Sequence, residues 1–384
     1  MKKLLLLIIT LFLTAQTIKA QTVVLDTNGV TVKWTGTTVP TPYFVQANPR
    51  GTGMEWFAIV NNSKKIYITE YAKNSQSGRT YFTPPNSTTP IPFNNIVTTL
   101  VTIMDAIFKS STSQNQAITS FNQPIGSWDT SNVNSMWQMF DAATSFNQPI
   151  GYWNMSNVNN IGSMFRRAST FNQPIGSWNV SNVTTTAYMF NEATSFNQPI
   201  GSWNVTNVNT MIGMFAVATS FNQPIGSWNV INVNSMNGMF DAAQLSTANY
   251  DATLLEWSTK NLKRNVTFSG GNSKYCNGAS ARSSIISTYG WTITDGGLDC
   301  SSLDTETFET NSLKLYPNPV VSVLNVKTDN NLINQPYTII DGLGRIVLNG
   351  KINDVESTIN VEQLSKGIYY LKITGNRAIK FIKE

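Results

Sequence analysis

The chain has 384 residues, 41% hydrophobic and 12% charged, with a formal net charge of +5, two cysteines and no histidine. Lacking histidine, it cannot build a Ser-His-Asp or Cys-His triad or a His-ligated metal site, and it lacks the side chain most used for proton transfer near neutral pH. The positive charge is confined to the ends: residues 1–20 hold 3 Lys and no acid, residues 21–310 hold 14 Lys+Arg against 15 Asp+Glu, and residues 311–384 hold 9 against 6. No basic stripe follows from this distribution, which excludes nucleic acid as a partner.

At the start, Lys2 and Lys3, the apolar run from Leu4 to Leu13 and the small Ala20 form a secretory signal peptide over 1–20. About ten apolar residues are too few to cross a bilayer, so cleavage near Gln21 is expected, with no transmembrane segment afterwards. The first cysteine is Cys276, so no lipid anchor is expected at the cleavage site. Residues 21–95 alternate in places, as in "KKIYITEY", and carry turns such as "TPPNSTTP", which predicts a β-rich N-terminal region. Residues 96–119 place Val101, Met104, Ile107 and Phe108 at a spacing that returns at Val133, Met136, Met139 and Phe140. This segment reads as a degenerate capping repeat.

From 120 to 244 the phrase "SFNQPIGSW" recurs five times, its phenylalanine at Phe121, Phe146, Phe171, Phe196 and Phe221. A fixed 25-residue period without insertions marks units that pack on their neighbours. Each copy carries about six large apolar residues, unlike a disordered tract. The burial available within one copy is smaller than the entropy of ordering 25 residues, so a single copy is expected to be unfolded. Val133, Met136, Met139 and Phe140 fall at i, i+3, i+6 and i+7, which predicts a short helix or 3₁₀ turn after N-cap residues Asp129 to Asn132. Phe121 to Trp128 reads as extended, with Pro124 at a bend. Asn122, Gln123 and Asn132 recur in every copy and are expected to form internal ladders. The predicted fold class is an α+β repeat solenoid of 25-residue coils with a short parallel sheet, followed by a small all-β sandwich. The string "NVNSMWQMFDAATSFNQPIGSWDTSNV" resembles the repeat of BspA-like surface proteins and mycoplasma surface lipoproteins, usually grouped with leucine-rich-repeat-like solenoids.

At Leu245 the period stops. Residues 245–300 read as a C-terminal cap: a helix from Ser246 or Thr247 with Leu254, Leu255 and Trp257 facing in, then strands Val266 to Ser269 and Trp291 to Thr294 around a helix from Ala279 to Thr288. Cys276 and Cys300 are disulfide candidates in an exported chain, two unpaired buried thiols being the alternative. The cap resembles that of the same family in Bacteroidetes-type proteins, which implies that these cysteines fasten it. The polar stretch 301–313 is a linker. Residues 314–384 alternate between Gly and Asn turns, as a small antiparallel sandwich does. Through Pro317, Asn318 and Pro319, then Asp341, Gly342, Gly344 and Arg345, then Gly367, Ile368 and Tyr369, they resemble the C-terminal sorting domain of the type IX secretion system. That resemblance implies recognition at the outer membrane by the secretion machinery, removal of the tail by a cut within 301–313, and a passenger anchored at the surface or released.

The first functional expectation is a cell-surface binding or adhesion module for an extracellular protein or glycan, since relatives by resemblance are described as adhesins. Trp137, Arg166, Arg167, Tyr188 and Glu192 vary where the core repeats and are the candidate binding residues. A non-binding spacer of the cell surface is the alternative. A polysaccharide-active enzyme is the third reading, and distance argues against it. Asp141 and Asp241 occupy one repeat position four repeats apart, about 19 Å at about 4.8 Å per repeat, whereas a glycosidase pair needs roughly 5 to 9.5 Å. No catalytic residue, metal or cofactor is expected.

Overall fold

A computed structural model describes residues 21–110, 116–301, 314–328, 332–341, 345–373 and 379–384. The expected signal peptide, linker residues 302–313, and Gly342 and Gly344 of the sorting motif lie outside the described residues. The chain divides into two compact units, one ending at Asp299 and one running from Cys300 to Glu384.

In the first unit, Val23–Leu25 pairs antiparallel with Val32–Trp34, while Glu55–Asn61 pairs antiparallel with Phe44–Ala47 and parallel with Ile96–Leu100. The alternating "KKIYITEY" is not a strand but the helix Lys65–Ala72. Ile68 is its one buried residue, and Tyr67 and Tyr71, one turn apart on one face, settle on other rings. Tyr67 stacks on Tyr81 at 4.1 Å between centroids and Tyr71 on Phe93 at 4.5 Å. Burial in this cluster pushes the Tyr81 phenol up to about 12.

The expected α+β solenoid is not what the chain forms. The described structure is mostly β with few helices, its strands gathered in several small separate sheets. Between Phe121 and Leu245 there is no helix and no strand, only turns joined by isolated parallel bridges: Ser135 to Asn160, then to Thr185, Thr210 and Ser235. The reason lies in the backbone at the predicted helix. Gln138 and Ala142, and the equivalent residues of every copy, have φ between 54° and 64°, a left-handed conformation that no right-handed helix accommodates. The N–H groups of Met136, Gln138, Phe140 and Ala142 donate to the carbonyls of Asn160, Gly162, Met164 and Arg166 in the following repeat. Those of Met139, Asp141 and Ala143 donate three residues back. Each copy thus satisfies half of this stretch internally and half through its neighbour.

Side chains follow the same logic. The Phe140, Phe165, Phe190, Phe215 and Phe240 rings stand nearly parallel at successive spacings of 5.5, 5.7, 5.7 and 5.3 Å. Buried Trp153, Trp178, Trp203 and Trp228 donate their indole N–H to the carbonyls of Ile125, Ile150, Ile175 and Ile200 in the preceding repeat, at 3.0 to 3.2 Å, as a buried indole requires. The polar ladders form too: Asn122 Oδ1 accepts Asn147 N–H, Asn147 accepts Asn172, Asn172 accepts Asn197 and Asn197 accepts Asn222. The glycine of "PIG" is fixed by close approach, since a Cβ on Gly126 would lie 2.6 Å from the carbonyl oxygen of Pro149 and one on Gly151 2.8 Å from that of Pro174.

The helix Thr247–Ser258, capped by Ser246, follows the last repeat. It buries Leu254 and Trp257 but leaves Leu255 exposed, contrary to expectation. Its buried Asp251 accepts the N–H groups of Cys276, Asn277 and Gly278 at 2.8 to 2.9 Å, just ahead of helix Ala279–Tyr289, where negative charge is favoured. Thr267–Ser269 and Thr292–Thr294 pair parallel beside it. One apolar core runs from Phe44 through all the repeats to Ile293.

The second unit is β-rich. Its strands form a three-stranded antiparallel sheet (Glu356–Asn360, Val323–Lys327, Lys314–Tyr316) and a four-stranded one (Ile346–Lys351, Pro336–Asp341, Gly367–Ile373, Ile379–Lys383). They share a core that includes Leu324, Val326, Ile339, Leu371 and Phe381.

Candidate functional site

Because Phe, Trp, Met and Asn columns are committed to neighbouring repeats, the differences between copies fall on the remaining positions, chiefly the equivalents of 137, 138, 141 and 142. There the sequence brings charge and aromatic rings to an otherwise neutral surface. Asp141, with its side chain fully buried, accepts from Arg166 Nε at 3.0 Å and Nη2 at 2.7 Å, and from Arg167 Nε at 3.2 Å and Nη2 at 2.9 Å. The two arginine side chains remain 31% and 28% exposed. The bond to Asp141 raises the pKa of Arg166 further above its ordinary value. The two arginines expected as binding residues are anchored, each by a bidentate or forked contact that fixes its direction.

Arg167 and Glu192 line one groove of about 520 Å³ together with Ala142, Thr144, Ser169, Thr194 and Val217. Glu192 is exposed and makes no ion pair among the described residues. Trp137 and Tyr188 are each 44% exposed and are not in the groove lining. Each leans on a glycine of the next repeat: a Cβ on Gly162 would lie 3.5 Å from Trp137 Cδ1, and one on Gly213 2.5 Å from Tyr188 Cδ1. The Lys109 ammonium sits 5.7 Å from the centroid of the Trp137 ring and donates to Gln138 Oε1 at 2.8 Å.

Sequence reasoning missed Asp141 as the anchor, Lys109, the hydroxyl row of Thr144, Ser169 and Thr194, and Tyr152. At 59% exposure Tyr152 protrudes most among the aromatic residues of the repeats. Its signal was legible, since Tyr152 replaces the serine found at 127, 177, 202 and 227. Of the two acids weighed as a glycosidase pair, Asp141 is held by the arginines and Asp241 by the Ser269 hydroxyl. No cluster of metal-ligating side chains occurs among the described residues. Cys276 and Cys300 are both disulfide-bonded.

In the second unit the sorting-motif residues have separable tasks. Asn318 Oδ1 accepts Ile382 N–H at 2.9 Å, tying the exposed Pro317–Pro319 segment to the last strand. Asp341 accepts the Arg345 N–H at 3.0 Å and Nε at 2.8 Å, leaving an arginine side chain that is 73% exposed. Gly367 opens the strand in which Tyr369 is buried and donates its hydroxyl to the Ser365 carbonyl, while Ile368 points out, 45% exposed.

No helix among the described residues is long and apolar enough to cross a membrane. A family profile described as Mycoplasma protein of unknown function, DUF285, matches residues 81–193 and 174–279, which together cover more than half of the chain. A second, described as secretion system C-terminal sorting domain, matches residues 314–384. No curated protein matches the chain, and no solved structure does.

Proposed function

The chain belongs to the family described as Mycoplasma protein of unknown function, DUF285, and we propose that it serves as a binding or adhesion module outside the cell. Its C-terminal sorting domain directs it to the type IX machinery, and so to export and the cell surface. The observation that carries the reading is the concentration of non-repeating side chains at the surface of an invariant frame: Trp137, Tyr188, Glu192 and the anchored Arg167 occupy positions at which the copies differ. Surface aromatic and arginine side chains of this kind are the usual anchors of an interface. The same surface supports a non-catalytic role, because Asp141 and Asp241 are spent on internal bonds.

The experiment is binding of the exported full chain to arrays of glycans and extracellular matrix proteins, beside a variant carrying Trp137→Ala, Tyr188→Ala and Glu192→Ala. We expect saturable binding that weakens at least about tenfold in the variant, or about 1.4 kcal/mol. Retention of no array component at micromolar protein would favour a surface spacer instead.

A further inference from the structure

We propose that the solvent face of the four-stranded sheet in the second unit is a docking surface for a protein component of the secretion machinery, one that presents an apolar patch with carboxylates at its rim. A sheet that covers a core on one side ordinarily turns polar residues to water on the other. Here the register gathers apolar residues on the open side instead. Ile368 stands opposite Ile382, and Ile340 stands opposite both Tyr370 and Ile346. Tyr370 lies two residues beyond Ile368 on one strand, so the two rows adjoin on one face, while Tyr369, Leu371 and Phe381 point into the core. Ile346 is 63% exposed, Ile368 45% and Ile382 39%, with Ile340 and Tyr370 half-buried between them. Single exposed apolar residues are ordinary, but a contiguous group of them marks a place where something binds.

The occupant follows from how the sorting-motif residues are used. Asn318, Asp341 and Tyr369 are engaged in bonds within the unit. Ile368 and Arg345 face water, the arginine held by Asp341 with its side chain 73% exposed. They lie at one end of the sheet, since Asp341 pairs with Tyr369, the neighbour of Ile368, and Arg345 directly precedes Ile346. Lys380, opposite Tyr370, and Lys372 are exposed on the same face. The patch therefore has a basic rim, which favours an acidic rim on the partner. The profile of the secretion system C-terminal sorting domain covers this unit, so the uncovered face belongs to a domain whose task is to be recognised during export. A second copy would set two basic rims against each other. Isoleucine and tyrosine set in the plane of a sheet suit the packed core of a protein interface, whereas insertion among lipids takes an apolar face that sinks about 5 to 10 Å into the bilayer boundary.

The test is export of the full chain from a bacterium that has the type IX machinery, read as the ratio of surface and medium protein to periplasmic protein. The variants are Ile368→Ser with Ile382→Ser, Arg345→Ala, and Val323→Ser. Val323 is 43% exposed but belongs to the three-stranded sheet, so its change makes a similar loss of apolar surface away from the face. We expect the ratio to fall at least about tenfold in the isoleucine pair and about threefold in Arg345→Ala, which sits at the rim, with Val323→Ser unchanged. Limited proteolysis of each purified chain checks that residues 314–384 stay folded. A photo-crosslinking side chain at position 368, but not at 323, should capture an outer-membrane component of the machinery in living cells, a readout that does not depend on the serine variants. Parental export of the folded isoleucine pair, equal loss in Val323→Ser, or a crosslink from 368 only to lipid or to a second copy of the chain overturns the inference.

Discussion

Replacing Phe165 by alanine will lower the unfolding free energy of the first unit by about 3 to 5 kcal/mol, the cost of truncating a fully enclosed phenylalanine. Phe165 is 0% exposed and lies between Phe140 at 5.5 Å and Phe190 at 5.7 Å, with Phe171 of the following repeat at 3.9 Å. The ring is the point where three repeats meet, so the cavity opens in a region that backbone bonds to both neighbours prevent from collapsing. All ten tryptophans lie between Trp34 and Trp291, so tryptophan fluorescence during urea unfolding reports on this unit alone. The midpoint should fall with little change in slope, because the surface exposed on unfolding is nearly unchanged. A loss below about 1 kcal/mol would mean that the repeats do not depend on one another through this column.

Asp141→Ala will cost about 3 kcal/mol, the lower part of the range for breaking a buried ion pair, since water reaches the exposed third of each arginine. The variant leaves the Arg166 and Arg167 guanidinium groups side by side with no carboxylate between them and four donated hydrogen bonds unmade. Replacing all three residues by alanine should recover part of that loss, because the uncompensated charges go with the carboxylate. Urea unfolding of the single and triple variants checks this. A triple variant less stable than Asp141→Ala would show that the arginines contribute through packing rather than through their pairing.

Much of this arrangement was written in the sequence. The 25-residue period placed Phe121, Trp128, Val133, Met139 and Phe140 in the core, and each is buried at 4% exposure or less. The asparagine ladders followed from the need of recurring polar groups for recurring partners. The local conformation did not follow. Apolar residues at i, i+3, i+6 and i+7 present one face from a helix, but a run of tight turns does so as well. The deciding left-handed residues are mostly Gln, Ser, Ala and other side chains that advertise nothing, with Gly213 and Gly238 as the hints. "KKIYITEY" misled in the opposite direction, since its alternation of letters concealed Tyr67 and Tyr71 one helical turn apart. The Arg166 and Arg167 pair was visible as an anomaly, but its partner Asp141 lies 25 residues upstream, a neighbour only when the period is read as a spatial step.

The repeats divide into columns that hold them together and positions at which the copies differ. The direct measurement is thermal melting of the full chain, followed by tryptophan fluorescence, with Trp137→Ala, Tyr188→Ala and Glu192→Ala combined and with Phe165→Ala alone. Surface changes cost within about 0.5 kcal/mol each, so the triple variant is predicted to melt within a few degrees of the parent and clearly above Phe165→Ala. A triple variant that melts as low as Phe165→Ala would contradict the division.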